Sequence, residues 1–208
     1  MSVRDRIVYS ALQLFAEKGY GSTSVAEILA AADVNAGSLY HVFPGKQDVL
    51  LAVLEAYRQG LEPMLLRPAW EGVTDPIERV FALLAKYRAL LASTDCTYGC
   101  PIGSLALELH EPDPAVRQLL AKNFQGWVDA IERCFNEAGD RLPADVDRRQ
   151  LAMLALATME GGVMVSRTER TMDAFDDAVA AFRSYIDHLQ IGAARRHPDS
   201  RNAVSQTS

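Results

Sequence analysis

Apolar positions in the first 60 residues recur at helical spacing in four short stretches, each closed by a helix-stopping signal. From Arg4 to Lys18, Ile7, Val8, Ala11, Leu12, Leu14 and Phe15 follow the 3.6-residue period, and Gly19 supplies a stop. Ser24-Val25-Ala26-Glu27 has the form of a capping box and opens a second helix with Val25, Ile28, Leu29 and Ala32 on one face. Asp33 then falls where a tight turn between helices calls for a residue tolerant of positive φ. The next stretch, V-N-A-G-S-L-Y-H-V-F-P-G-K at 34 to 46, predicts a third helix with an apolar seam at Val34, Leu39 and Phe43 and a stop at Pro44. Lys46 to Gly60 reads as a fourth, built on Val49, Leu50, Val53, Leu54 and Tyr57. Short helices with the second and third joined by a tight turn make a helix-turn-helix.

Beyond Gly60 the signals change to longer helices. Glu62-Pro63 and Arg67-Pro68 are expected to break the chain, and Asp75-Pro76-Ile77-Glu78 starts a helix running to about Ala92. Residues 93 to 103 read as a loop by composition, followed by a helical patch from Ser104 to His110. Further helices are expected from Asp113-Pro114 to a stop at Gly139, from Asp145 to about Arg167, and from Asp173 to Ile191, closed by Gly192. The fold class predicted is all-α: a helix-turn-helix domain over 1-60, with its third helix at about 35-43, a larger helical domain over 61-192, and a polar, aperiodic, disordered tail over 193-208.

Composition leaves this picture in place. With 49% hydrophobic and 23% charged residues among 208, the chain is ordinary for a globular protein. The longest apolar run, Leu151 to Met159, ends at Glu160, well short of a membrane span, and the N-terminus lacks a secretory signal, so a cytoplasmic location without membrane contact is expected. Three cysteines are too few for a disulfide scaffold. Net charge is −6; the first 60 residues hold five cations (Arg4, Arg6, Lys18, Lys46, Arg58) against six anions (Asp5, Glu17, Glu27, Asp33, Asp48, Glu55), so charge alone does not announce a nucleic-acid partner.

Candidate chemistry is sparse. There is no G-x-S-x-G, P-loop, H-E-x-x-H or dinucleotide fingerprint, and the four histidines (His41, His110, His188, His197) are scattered, so no catalytic residue, metal ligand or cofactor is assigned. The spacing of Cys96, Cys100 and His110 is not diagnostic of a metal site.

Three segments carry a family likeness. F-A-E-K-G-Y at 15 to 20, T-S-V-A-E-I at 23 to 28 and G-S-L-Y-H-V-F-P-G-K at 37 to 46 stand in an order and spacing that resemble the DNA-binding domain of the TetR family of bacterial transcriptional regulators. The resemblance implies an all-helical homodimer whose N-terminal domains read the halves of a pseudo-palindromic double-stranded operator, while the larger domain dimerises and holds a small-molecule inducer. By that likeness Asn35, Ala36, Gly37 and Ser38 lie at base edges, and Tyr40, His41, Lys46 and Ser24 at phosphates. Asp33, Ala36 and Val42 depart from the common pattern, each removing a cation or a polar group or adding an anion near DNA, so few phosphate contacts per subunit are expected.

For the larger domain the expectations are looser. An inducer pocket would draw on Phe81, Tyr87, Tyr98, Cys100, Phe124, Trp127 and Met159. The dimer would use the last two helices through Ala155, Gly162, Phe175, Val179, Phe182 and Ile186. C-T-Y-G-C-P-I-G at 96 to 103 resembles a segment of some family members in which a cysteine senses oxidants or electrophiles. A thiol at Cys100, at a helix start, would have a lowered pKa, giving a thiol-switched repressor as the alternative; an enzyme without a recognisable motif is the remote one.

Overall fold

A computed structural model of the protein describes residues 1–196. The elements are α1 (Val3–Lys18), α2 (Val25–Ala32), α3 (Ala36–Val42), α4 (Lys46–Gly60), a π-helical segment (Leu61–Leu66), α5 (Arg67–Trp70), α6 (Pro76–Ala92), α7 (Pro101–Glu108), α8 (Pro114–Glu137), a 3₁₀ turn (Gly139–Arg141), α9 (Arg148–Glu169) and α10 (Asp173–Arg196). Among the described residues there is no strand.

Local chemistry accounts for the boundaries. The Ser24 hydroxyl accepts from the Glu27 amide while the Glu27 carboxylate takes the Ser24 amide, the reciprocal capping expected for α2. Asp75 caps α6 through the amides of Ile77 and Glu78, with Pro76 in the first turn, where a missing N–H costs nothing.

Three expectations need correcting. Pro63 and Pro68 do not break the chain: the helix runs on from α4, the ladder shifting in Leu61–Leu66 to a wider register in which the Arg67 amide bonds the Glu62 carbonyl, five residues back. Residue 60 is therefore no linker. Pro101 occupies the first turn of α7, so this helix starts three residues before the expected Ser104. Finally, α10 passes through Gly192 to Arg196, so 193–196 are helical; the rest of the expected tail lies outside the described residues.

Two apolar cores result. One fills the larger domain around Phe81, Leu84, Trp127, Ile131, Phe135, Met159, Phe175 and Ile186. The other joins Ile7, Phe15, Ile28, Leu39, Phe43 and Leu54 of the first four helices to Cys100, Ile102 and Leu105 around α7 and Val116 and Leu120 of α8. In packing terms α7 thus belongs with the helix-turn-helix, and Tyr87 and Phe124 pack against both cores.

Candidate nucleic-acid interface and ligand cavity

The turn between α2 and α3 is fixed by backbone geometry. Asp33 sits at φ 52°, ψ 54°, its amide bonding the Ala30 carbonyl while the Val34 amide reaches Leu29, a Schellman closure that releases the chain into α3 at an angle. The Arg6 guanidinium of α1 donates to the Asp33 carbonyl at 3.1 Å, pinning the turn from behind. Asn35 caps α3: its side-chain oxygen accepts from the Ser38 amide (2.8 Å) and the Ser38 hydroxyl (3.1 Å). Leu39 and Phe43 are buried, whereas Asn35, Ala36, Gly37, Tyr40 and His41 are exposed. A seven-residue helix that could not persist alone is therefore held by one face and presents the other.

Two residues expected at phosphates are otherwise engaged. The Lys46 ammonium donates to the Tyr20 carbonyl and lies 4.1 Å from the centre of the Tyr20 ring, and burial pulls its pKa down. The Ser24 hydroxyl is committed to Glu27. What each site can still offer an anion is the backbone N–H array of its helix start. Sequence reasoning missed Arg4, whose guanidinium stands 5.4 Å over the Phe43 ring and so beside α3.

In the larger domain a cavity of about 350 Å³ opens between the start of α7 and helices α4, α6, α8 and α9. Tyr87, Cys100, Phe124, Trp127 and Met159 line it as expected, with Tyr57, Asn123 and Glu160 added. Phe81 and Tyr98 do not. Phe81 is in the core against Phe182 and under the Arg183 guanidinium, and Tyr98 points to the surface. Tyr57, Asn123 and Glu160 escaped notice because a lone polar residue on an apolar helix gives no sequence signal. Asn123 donates across to the Leu54 carbonyl of α4 at 3.0 Å, tying α8 to the helix leaving the DNA-binding domain.

Cys100 also differs from expectation. It does sit at the start of α7, yet burial, followed by the neighbouring Glu160 carboxyl, pushes its pKa well above the ordinary thiol value. The amides of Ile102 and Gly103 act in the opposite direction and are outweighed. A helix N-terminus lowers a thiol pKa only where solvent lets the charge survive, so the reactive thiolate expected there is disfavoured.

Comparison with known proteins decides the family. Residues 7–53 match the model for bacterial regulatory proteins of the tetR family, and residues 76–181 match that for the C-terminal domain of LmrA/YxaF-like transcriptional regulators. An uncharacterised HTH-type transcriptional regulator of Mycobacterium tuberculosis is 32% identical over 178 residues, covering 83% of this chain and 88% of the relative. The chain belongs to the TetR family of bacterial transcriptional regulators. Among other TetR-family relatives, the HTH-type transcriptional repressor DhaR of Mycobacterium sp. (strain GP1) is 28% identical over 84% of this chain and 87% of its own. The crystal structure of regulatory protein TetR from Rhodobacter sphaeroides superimposes with a TM-score of 0.77 at 30% identity, covering 86% of this chain and 95% of that one.

For a TetR-family chain the dimer surface matters, and here the expected stripe faces inward. Ala155, Phe175 and Ile186 are fully buried in the protomer, Phe182 nearly so, Val179 packs against the same core, and a Cβ on Gly162 would meet the Phe175 backbone at 3.1 Å. The strongest apolar stripe of α10 is spent on its own domain. The outward sides of α9 and α10 instead form a shallow apolar groove of about 470 Å³ lined by Leu154, Ala157, Gly161, Ala178, Ala181 and Tyr185.

Proposed function

We propose that this regulator is a repressor that binds a pseudo-palindromic operator as a homodimer and is released when a small molecule enters the cavity beside Trp127. The observation that carries the reading is the presentation of α3: buried Leu39 and Phe43 hold it from behind while Ala36, Gly37, Tyr40 and His41 face outward. In a major groove, Asn35 would offer its amide N–H groups, its oxygen being held by Ser38, and Ala36 a methyl for thymine. Gly37 permits close backbone approach, Ser38 keeps its lone pairs, and Tyr40 and His41 face the phosphates, joined by the helix starts at Ser24 and Lys46. Dimerisation through the outward faces of α9 and α10 sets the separation of the two α3 helices, for which one DNA turn demands roughly 34 to 36 Å. The repressor name of DhaR, similar over most of its length, supports this sign of control. The test is a gel shift with the DNA upstream of the protein's own gene: a retarded band that weakens on Tyr40→Phe supports the reading, and failure of a demonstrably dimeric protein to shift it sinks autoregulation.

A further inference from the structure

The cavity is apolar but holds two polar atoms that nothing in the protein satisfies. Trp127 is only 3% exposed, yet its indole N–H has no acceptor, and Glu160 Oε1 is buried with no donor. Leaving such groups unpaired costs on the order of 1–3 kcal/mol each, so two lining one cavity mark a place built for an occupant.

Their chemistry constrains what that occupant is. The indole N–H can only donate, so it needs an acceptor atom on the ligand. Glu160 is the one carboxylate lining the cavity, and no Lys or Arg lines it among the described residues. Arg167 and Arg170, in the adjoining cleft, are engaged elsewhere: Arg167 donates to the Thr97 carbonyl and the Ser104 hydroxyl, Arg170 to the Cys96 carbonyl. The only charge the cavity can develop is therefore negative. Its other walls are the rings of Tyr57, Tyr87, Phe124 and Trp127, whose faces attract cations and whose edges accommodate flat apolar bodies. With no ligand, burial raises the Glu160 pKa and favours the neutral acid; a bound cation would reverse that preference.

We propose that the cavity binds small aromatic amines, with the protonated nitrogen on Glu160 and an acceptor atom of the ring substituent on the Trp127 N–H. This assignment rests on the reading of the cavity as the inducer site and specifies its ligand class. Negatively charged ligands are excluded by the same carboxylate, and neutral ones of equal shape leave it unpaired.

The experiment uses the full-length dimer and two compounds of matched shape, 4-methoxyphenethylamine and 4-methoxyphenethyl alcohol, in titration calorimetry at pH 7.5. The amine is expected to bind at least about tenfold more tightly, the worth of a charge-assisted hydrogen bond. Glu160→Gln is expected to abolish that preference while leaving alcohol binding unchanged, and Trp127→Phe to remove the advantage of the methoxy amine over 4-methylphenethylamine. Equal affinities in the wild type, or no saturable amine binding, overturn the proposal without need of any variant, as does a preference that survives Glu160→Gln. Operator release by each compound is read separately by gel shift. An amine that binds as described but never releases operator refutes the inducer reading and keeps the site, whereas release by the alcohol alone keeps the inducer reading and refutes the amine.

Discussion

The Glu108 carboxylate, at the end of α7, accepts hydrogen bonds from the backbone amides of Tyr20 (2.9 Å) and Gly21, in the turn before the helix-turn-helix. The two partners lie 88 and 87 residues away in the chain. At its other end α7 begins at Cys100, in the wall of the cavity, so one eight-residue helix spans from ligand site to DNA-binding domain. The turn has no room for a different arrangement: a Cβ on Gly21 would lie 3.0 Å from Glu108 Oε1, and Gly19 adopts φ +84°. Replacing Glu108 by Ala is expected to cost about 1 kcal/mol of stability and to speed hydrogen exchange selectively at the Tyr20 and Gly21 amides. Unchanged exchange at those two amides would show that the contact holds nothing in place.

Tyr40 and His41 are exposed and belong to no core, so Tyr40→Phe and His41→Ala should leave the unfolding midpoint in place, within about 0.5 kcal/mol. Each should weaken operator binding. Asn35→Ala should do both, because it removes the cap of α3, at about 1 kcal/mol, along with a base-facing amide. Parallel chemical denaturation and gel shifts separate the two behaviours.

Asp33 combines a left-handed backbone with a fully exposed carboxylate beside the proposed DNA face. Asp33→Gly relieves the conformation and removes an anion. Operator affinity should rise, and stability should change by no more than about 1 kcal/mol, since the gain in the folded state is offset by glycine's freedom in the unfolded chain. Filter-binding curves at two salt concentrations would show the gain directly.

The cysteines set an alkaline limit. Burial pushes the Cys100 thiol well above its ordinary value of 9.0 and the Cys134 thiol up to about 11. A folded pKa raised above the unfolded one means that, as pH climbs past 9, the unfolded chain loses protons that the folded chain keeps. Stability should therefore be flat below about pH 8 and fall above 9, with a slope approaching about 1.4 kcal/mol per pH unit for each thiol. The same burial predicts slow reaction of native Cys100 with aromatic disulfide reagents, accelerating on unfolding. Rapid stoichiometric labelling of the native dimer would contradict it.

Tyr185 and Ala178 lie on the outward groove of α9 and α10. Placing a charge there, as in Ala178→Arg, should give a folded monomer by light scattering that no longer retards operator DNA. Placing one at Ile186, fully buried in the protomer, should instead unfold the domain.

The parts of this molecule legible in the sequence were those written in local chemistry. Ser24 with Glu27, Asp75 with Pro76, and Asp33 between two helices each announce a backbone state that short-range sterics and hydrogen bonds enforce, and each is found. What was misread depends on long-range packing. The stripe from Phe175 to Ile186 reveals that α10 buries one face but not against which neighbour, and its own domain takes it. Cys100 has a helix start in its sequence context, whereas the burial that outweighs it comes from α4, α6 and α9. Lys46 looked like an available cation until folding brought Tyr20 beneath it. Glu108 and Glu160, single acids on helices, became informative only when their partners, or the absence of them, could be seen.

The π-helical segment Leu61–Leu66 joins α4, which leaves the DNA-binding domain, to α5. Such a turn amounts to an α-helix carrying one residue more than its register needs. Removing one residue between Leu61 and Leu66 would let the chain rewind as plain α-helix, intact and continuous, while turning everything before it by about 100° relative to everything after. Insertions and deletions at this point are thus a way for descendants of this chain to re-aim their DNA-binding domains without altering either core, and variation in operator spacing among relatives should track the length of this segment.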